Sequence, residues 1–299
     1  MVQVSFAEVI VQIDYSYDAS GFFANSAARQ ALETGIAHIA SRLNDHLTAI
    51  TPGPTPFGFS NEYNVTFTNP STGTAVQIQD FTVPDKTLII YVGARDLPGE
   101  TLGIGGAGGW SISGLPDFVE SARLRGQGET QGLAAIDFAP WGGAITFDSL
   151  ADWSFDTSLV DPGFGLNSFI TVVEHEFGHL LGYGGADSWK NKIDNVNGNL
   201  FFHGTASVAE FGGLVPLFNQ SHWADGLLST VNGTDQEAIL DPTLTVGARK
   251  EFSALDFAGL SDIGWEVLPV PEVSSILLSV VPIACFLCTT RRSLHYSRA

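Results

Sequence analysis

The sequence predicts an α+β fold, and three observations carry that reading. One strand and one long amphipathic helix come first, a series of short strand-like segments follows, and a second, strongly apolar helix comes after them. No stretch repeats at a fixed period. About 270 of the 299 residues precede a distinct apolar tail, enough for one large domain of two lobes.

In chain order, residues 8–15 read as the first strand. Residues 26–47 read as a helix whose apolar face is Ala28, Leu32, Ile36, Ile39, Leu43 and Leu47. His38 and His46 fall on it without any accompanying ligand pattern and read as surface or locally satisfied groups. Strands are expected at 63–68, 87–92, 133–138 and 144–147. Gly103-Ile104-Gly105-Gly106-Ala107-Gly108 fits a dinucleotide fingerprint literally. The helix that fingerprint requires is interrupted by Gly109, Gly114 and Pro116, so the segment reads as a glycine loop. Asn167 and Ser168 are capping residues for a helix that buries Phe169, Val172, Val173, Phe177, Leu180 and Leu181, and Gly182 can turn left-handed to end it. Beyond it the chain reads as loop-rich until a last helix at 253–263. The upper lobe is therefore expected over about 1–182 and the lower over about 183–268.

Within the second helix stands His175-Glu176-Phe177-Gly178-His179. Residues four apart share a helix face, so His175 and His179 can ligate one metal from adjacent turns with Glu176 beside it as a general base. The competing reading is an ordinary amphipathic helix on which the spacing fell by chance. Against it, only seven histidines exist, and burying two of them on an apolar helix without a partner is costly. Catalytic zinc takes three protein ligands, and the residue types downstream offer Asp187, His203 and His222 as the third.

Several segments around this motif carry a resemblance. Phe202-x-Gly204, Phe211-Gly212-Gly213, Val215-Pro216-Leu217 and Ser221-His222-Trp223 resemble the leishmanolysin-type metzincins, zinc peptidases in which an insertion separates the glycine turn from the third histidine. The resemblance implies a two-lobed metzincin-like domain, with a mixed sheet and active-site helix above and a loop-rich lobe below. It names His222 as the third ligand. In metzincins lacking such an insertion, that ligand would fall at Gly185, which has no side chain to offer. Ala238-Ile239-Leu240-Asp241-Pro242 is similar to the turn that underlies the zinc, with Leu240 where methionine is usual; the chain's only methionine is Met1. The segment from Ala139 to Asp148, followed by Trp153, resembles the edge strand above the cleft in matrix-metalloproteinase-like domains. If so, it can hold an extended peptide as an added strand; the other reading is an ordinary edge hairpin.

The function expected on these grounds is hydrolysis of peptide bonds by a zinc-dependent endopeptidase with one catalytic zinc on His175, His179 and His222. The alternative is a surface-displayed binding or matrix protein that keeps the fold without turnover. A net charge of −19 disfavours nucleic acid as a partner. The acid surplus could also hold calcium, with Asp148 and Asp152 as candidates.

The end of the chain adds a location. Val270-Pro271-Glu272-Val273, an apolar run over 276–288, and Arg291-Arg292 together resemble the PEP-CTERM sorting signal of Gram-negative bacteria. That resemblance implies export, a transient membrane anchor and processing by an exosortase, with an outer surface or extracellular matrix location. Cys285 and Cys288 are the only cysteines, so the part before the tail has no disulfide and no thiol to bind zinc in a latent form. No signal-peptide pattern opens at Met1, so an export leader is expected upstream of it.

Overall fold

Thr87–Arg95 is a nearly unbroken apolar run, buried on both faces of its strand, which requires a sheet covered on both sides. In the computed structural model, which describes residues 8–269, it lies between Ile10–Asp14 and Gly142–Asp148, parallel to both. Gly103–Ala107 runs antiparallel to Gly142–Asp148 and forms one edge of this sheet. The fold is α+β, as expected.

Alternation along the strands divides the two faces. Leu88, Ile90, Val92, Ile145 and Phe147 point into a core shared with the helices Ser26–Ala40 and Phe169–Leu180. Ile89, Tyr91 and Trp141 point the other way, against Tyr63, Val65 and Phe67. Those residues belong to a second, antiparallel sheet in which Ser60–Thr68 pairs with Gly53–Pro54, Ala75–Ile78 and Gly109–Ser113. The histidine-bearing helix is thus held between the first helix and the sheet.

Several elements depart from the sequence reading. The first helix ends at Ala40 instead of continuing to 47. Leu43 and Leu47 are buried nonetheless, because the chain turns and runs extended: Leu43 bridges to Val267, and Asn44 N donates to the Glu266 carbonyl. Residues 133–138 are not a strand. Glu129 O accepts from the amides of both Ile136 and Asp137, and the Asp137 carboxylate accepts from Gly128 N and Phe138 N, so these local bonds use the backbone a ladder would need. A short 3-10 turn, Gly132–Ala134, leaves Leu133 exposed. The expected glycine loop is instead the strand Gly103–Ala107, with a second strand, Gly109–Ser113, starting after Gly108.

The lower part is also more ordered than a loop-rich lobe. It contains a three-stranded sheet of Ile193–Val196, Asn199–Phe202 and Val215–Leu217, the helices Asp187–Lys190 and Thr205–Phe211, a hairpin of Leu228–Val231 with Thr234–Glu237, and the helix Ala254–Ile263. These elements belong to one unit, Met1–Leu268. Among the described residues no helix is long and apolar enough to cross a membrane. The sorting-signal segment with Cys285, Cys288, Arg291 and Arg292, and the start of the chain, lie outside the described residues.

Candidate metal centre

Ser168 caps the histidine helix, its hydroxyl accepting from Thr171 N at 3.4 Å and lying 2.9 Å from Thr171 Oγ1. Phe169, Val173, Phe177 and Leu180 are buried in the core, which leaves His175 and His179 half-buried and facing a cleft of 1290 Å³. On a neighbouring stripe, three side chains reach the segment 239–252. Thr171 Oγ1 donates to Lys250 O, the Glu174 carboxylate accepts from Phe252 N, and His175 Nδ1 meets Ile239 O at 2.7 Å. The helix is therefore fixed in rotation as well as position.

His222 arrives from the far part of the chain. Leu217 bridges to Trp223, Phe218 N donates to His222 O, and Trp223 N donates to Leu240 O, so residues 217–223 form a tight loop. Asn219 Oδ1 accepts from Ser221 N at 2.7 Å and faces His222 Nδ1 at 3.1 Å. The structure brings His175, His179 and His222 together, their Nε2 atoms facing one another, with His179 Nε2 at 3.1 Å from each of the other two.

The hydrogen bonds fix which nitrogen carries the proton. Each Nδ1 meets only an acceptor: the Ile239 carbonyl for His175, the Tyr183 carbonyl for His179 at 3.1 Å, and Asn219 Oδ1 for His222. Each neutral ring therefore has its proton on Nδ1 and presents a lone pair at Nε2. Protonation does not relieve the facing lone pairs, because burial lowers all three rings: His175 well below the usual histidine range, His179 below it, and His222 to about 4. Three converging lone pairs fit a cation. Tetrahedral zinc with nitrogens at about 2.0–2.1 Å would hold them about 3.3 Å apart, close to the spacing found.

Glu176 is buried beside these rings and lines the same cleft. Its neighbour is the edge strand Gly103–Ala107. A Cβ on Gly103 would stand 2.7 Å from Glu176 Cγ, and one on Gly105 would run into the Glu176 carbonyl. Glycine at both positions is what lets strand and helix touch. Burial raises the Glu176 carboxyl to about 8, opposed by a hydrogen bond from the Gly105 amide. A cation at the histidines would act in the same downward direction. The edge strand at the site is thus Gly103–Ala107. Gly142–Asp148, the segment expected at the edge, lies inside the sheet between two partners.

The other third-ligand candidates are elsewhere. Asp187 opens a short helix and accepts from Gly132 N, while His203 is exposed. Asp148 uses its carboxylate on the amides of Leu97 and Leu150, and among the described residues neither it nor Asp152 joins a group of converging ligand side chains. Leu240 is fully buried under the helix, where a Cβ on Gly178 would stand 3.0 Å from its Cδ2. The turn beyond it is clamped by Lys250, whose buried Nζ donates to both Asp241 oxygens at 2.8 and 2.9 Å and to Thr243 O. His38 meets Glu174 at 3.1 Å and His46 meets Glu8, so both are locally satisfied.

Sequence reasoning missed Asn219, the carbonyls of Ile239 and Tyr183, and the two glycines against Glu176. A main-chain acceptor leaves no residue-type signal. Asn219, three residues before His222, was the one readable support. Comparison of the chain with family models, with curated proteins and with solved structures found no match.

Proposed function

We propose that the protein is a zinc-dependent endopeptidase of metzincin type, with His175, His179 and His222 holding the metal and Glu176 as general base. The observation that carries this reading is the convergence of three Nε2 lone pairs, each ring oriented by an acceptor at Nδ1, in a cleft shared with a buried glutamate. Zinc bound there would supply Lewis acidity and lower the pKa of a water. Glu176, buried beside the ligand rings, would accept a proton from a water in the cleft and would return it to the leaving amine. The free edge of Gly103–Ala107 offers main-chain groups to an extended peptide, and the cleft walls add apolar side chains such as Leu244 and Val246. The tail from residue 269 is proposed as a PEP-CTERM anchor that brings the enzyme to the outer surface until an exosortase removes it.

The test is Glu176→Gln, nearly isosteric and outside the ligand set. It is expected to keep fold and zinc content while peptide hydrolysis falls on the order of a hundredfold to ten-thousandfold, because an amide cannot take the proton. Casein or peptide-library cleavage by zinc-loaded protein, with a chelator control, gives the readout. Equal cleavage by both forms removes Glu176 as the base, and a wild type that cleaves nothing favours the binding-protein alternative.

A further inference from the structure

Each histidine is oriented by an acceptor, and those acceptors need support of their own. Two of those acceptors, the carbonyls of Ile239 and Tyr183, belong to residues bonded to Asp256, which also holds Trp223, the residue next to His222. The Asp256 side chain is fully buried and accepts five hydrogen bonds. Its Oδ2 accepts from Ile239 N at 2.9 Å and its Oδ1 from Leu240 N at 3.3 Å, which fixes the turn whose Ile239 carbonyl faces His175. Oδ1 also accepts from Trp223 Nε1 at 2.9 Å, and Trp223 follows His222 directly. The main-chain oxygen of Asp256 accepts from the Tyr183 hydroxyl at 2.5 Å, and the Tyr183 carbonyl faces His179.

From this connectivity we infer that the Asp256 carboxylate is a positioning group for the metal centre, orienting His175 through Ile239 and His222 through Trp223, while the main-chain oxygen of the same residue holds Tyr183 behind His179. The inference rests on the metal reading above. The plainer role for Asp256 is local. With Ser253 it forms a capping box, Ser253 N and Oγ donating to Oδ2 at 2.8 and 2.6 Å. Capping, however, needs only Ser253 and the first turn of Ala254–Ile263. The bonds to Ile239, Leu240 and Trp223 span 16 to 33 residues and contribute nothing to that helix end. A carboxylate also suits five donors where an amide does not, because Asn would turn an N–H toward one of these groups.

Three variants separate the roles. In Asp256→Asn the zinc dissociation constant, measured by chelator competition, is expected to rise about 10–100-fold, as for other groups behind a metal's ligands. Trp223→Phe deletes the bond to Oδ1 together with part of a buried ring packed on Tyr183, Trp189 and Phe202, and is expected to weaken zinc a few-fold to about tenfold with some loss of stability. In both, the visible bands of the cobalt-substituted protein should shift. Ser253→Ala removes the cap and one donor to Oδ2 but keeps the bonds from Ile239, Leu240 and Trp223, so it is expected to lower the melting temperature while changing zinc affinity and cobalt spectrum less than Asp256→Asn does. Wild-type affinity and spectrum in Asp256→Asn and Trp223→Phe, with only stability reduced, would overturn the positioning role. If Asp256→Asn does not fold, Trp223→Phe decides. A wild-type protein that takes up no metal overturns this inference together with the metal reading, and the wild-type titration alone identifies that outcome.

Discussion

The two sides of the candidate metal centre are built differently. His175, Glu176 and His179 sit on one capped helix, where a local rule, four residues per step around a face, sets their spacing. His222 is delivered by a loop 43 residues beyond His179 and is held by contacts among Asn219, Trp223, the 238–243 turn and Asp256. The helix side would keep much of its geometry from its own backbone ladder. The loop side exists only once distant segments have packed, so its stability is that of the tertiary structure.

The contrast can be broken most forcefully at Lys250. Lys250→Met leaves Asp241 buried without its cation beneath the centre and is expected to cost about 3–5 kcal/mol. Denaturant unfolding measures this, and adding Asp241→Leu should restore most of the loss. If the single variant is neutral, the clamp does not hold the loop side. A smaller effect is expected at Asn219. Asn219→Ala removes the acceptor at His222 Nδ1 and should weaken zinc about 10–100-fold, whereas Asp187→Ala should leave it unchanged. Metal titration of the pair would reverse the assignment if Asp187→Ala were the weaker binder. The smallest effect is expected on the helix side. Ser168→Ala removes the cap and should lower stability by about 1 kcal/mol with zinc affinity unaltered, because the tertiary contacts of Thr171, Glu174 and His175 still fix the helix. A loss of zinc affinity in Ser168→Ala would show that the helix side, too, depends on its ends.

The same contrast explains what the sequence made readable. The strand Thr87–Arg95 and the helix Phe169–Leu180 were legible because one is continuously apolar and the other alternates with helical period and carries its own cap. Leu43 and Leu47 misled because burial, not helix geometry, demands their apolar character, and an extended chain satisfied it equally well. Residues 133–138 misled because the Asp137 carboxylate and the Glu129 carbonyl captured the backbone amides locally. The glycines of 103–108 read as a loop because a strand with few side chains has no hydrophobic pattern. The reason for Gly103 and Gly105 lies in Glu176, some seventy residues away, and that for Gly108 in Trp141, so nothing local encodes them. The third histidine was singled out from Asp187 and His203 only through a resemblance in the segments around it. The acceptors of His175 and His179, being main-chain oxygens, left no mark.

The two glycines packed against Glu176 bear on how a peptidase site of the proposed kind could change its substrate preference over evolutionary time. A single base change at Gly103 or Gly105 installs a side chain that collides with the glutamate or with its own main chain. Most routes that would decorate this strand therefore displace Glu176 before any new contact in the cleft can be selected. The cleft wall made by Leu150, Leu244 and Val246 is under no such restriction, since Leu150 and Val246 stand largely in solvent. Diversification among descendants of this chain should accordingly accumulate in those loops, with the glycine strand handed down nearly unaltered.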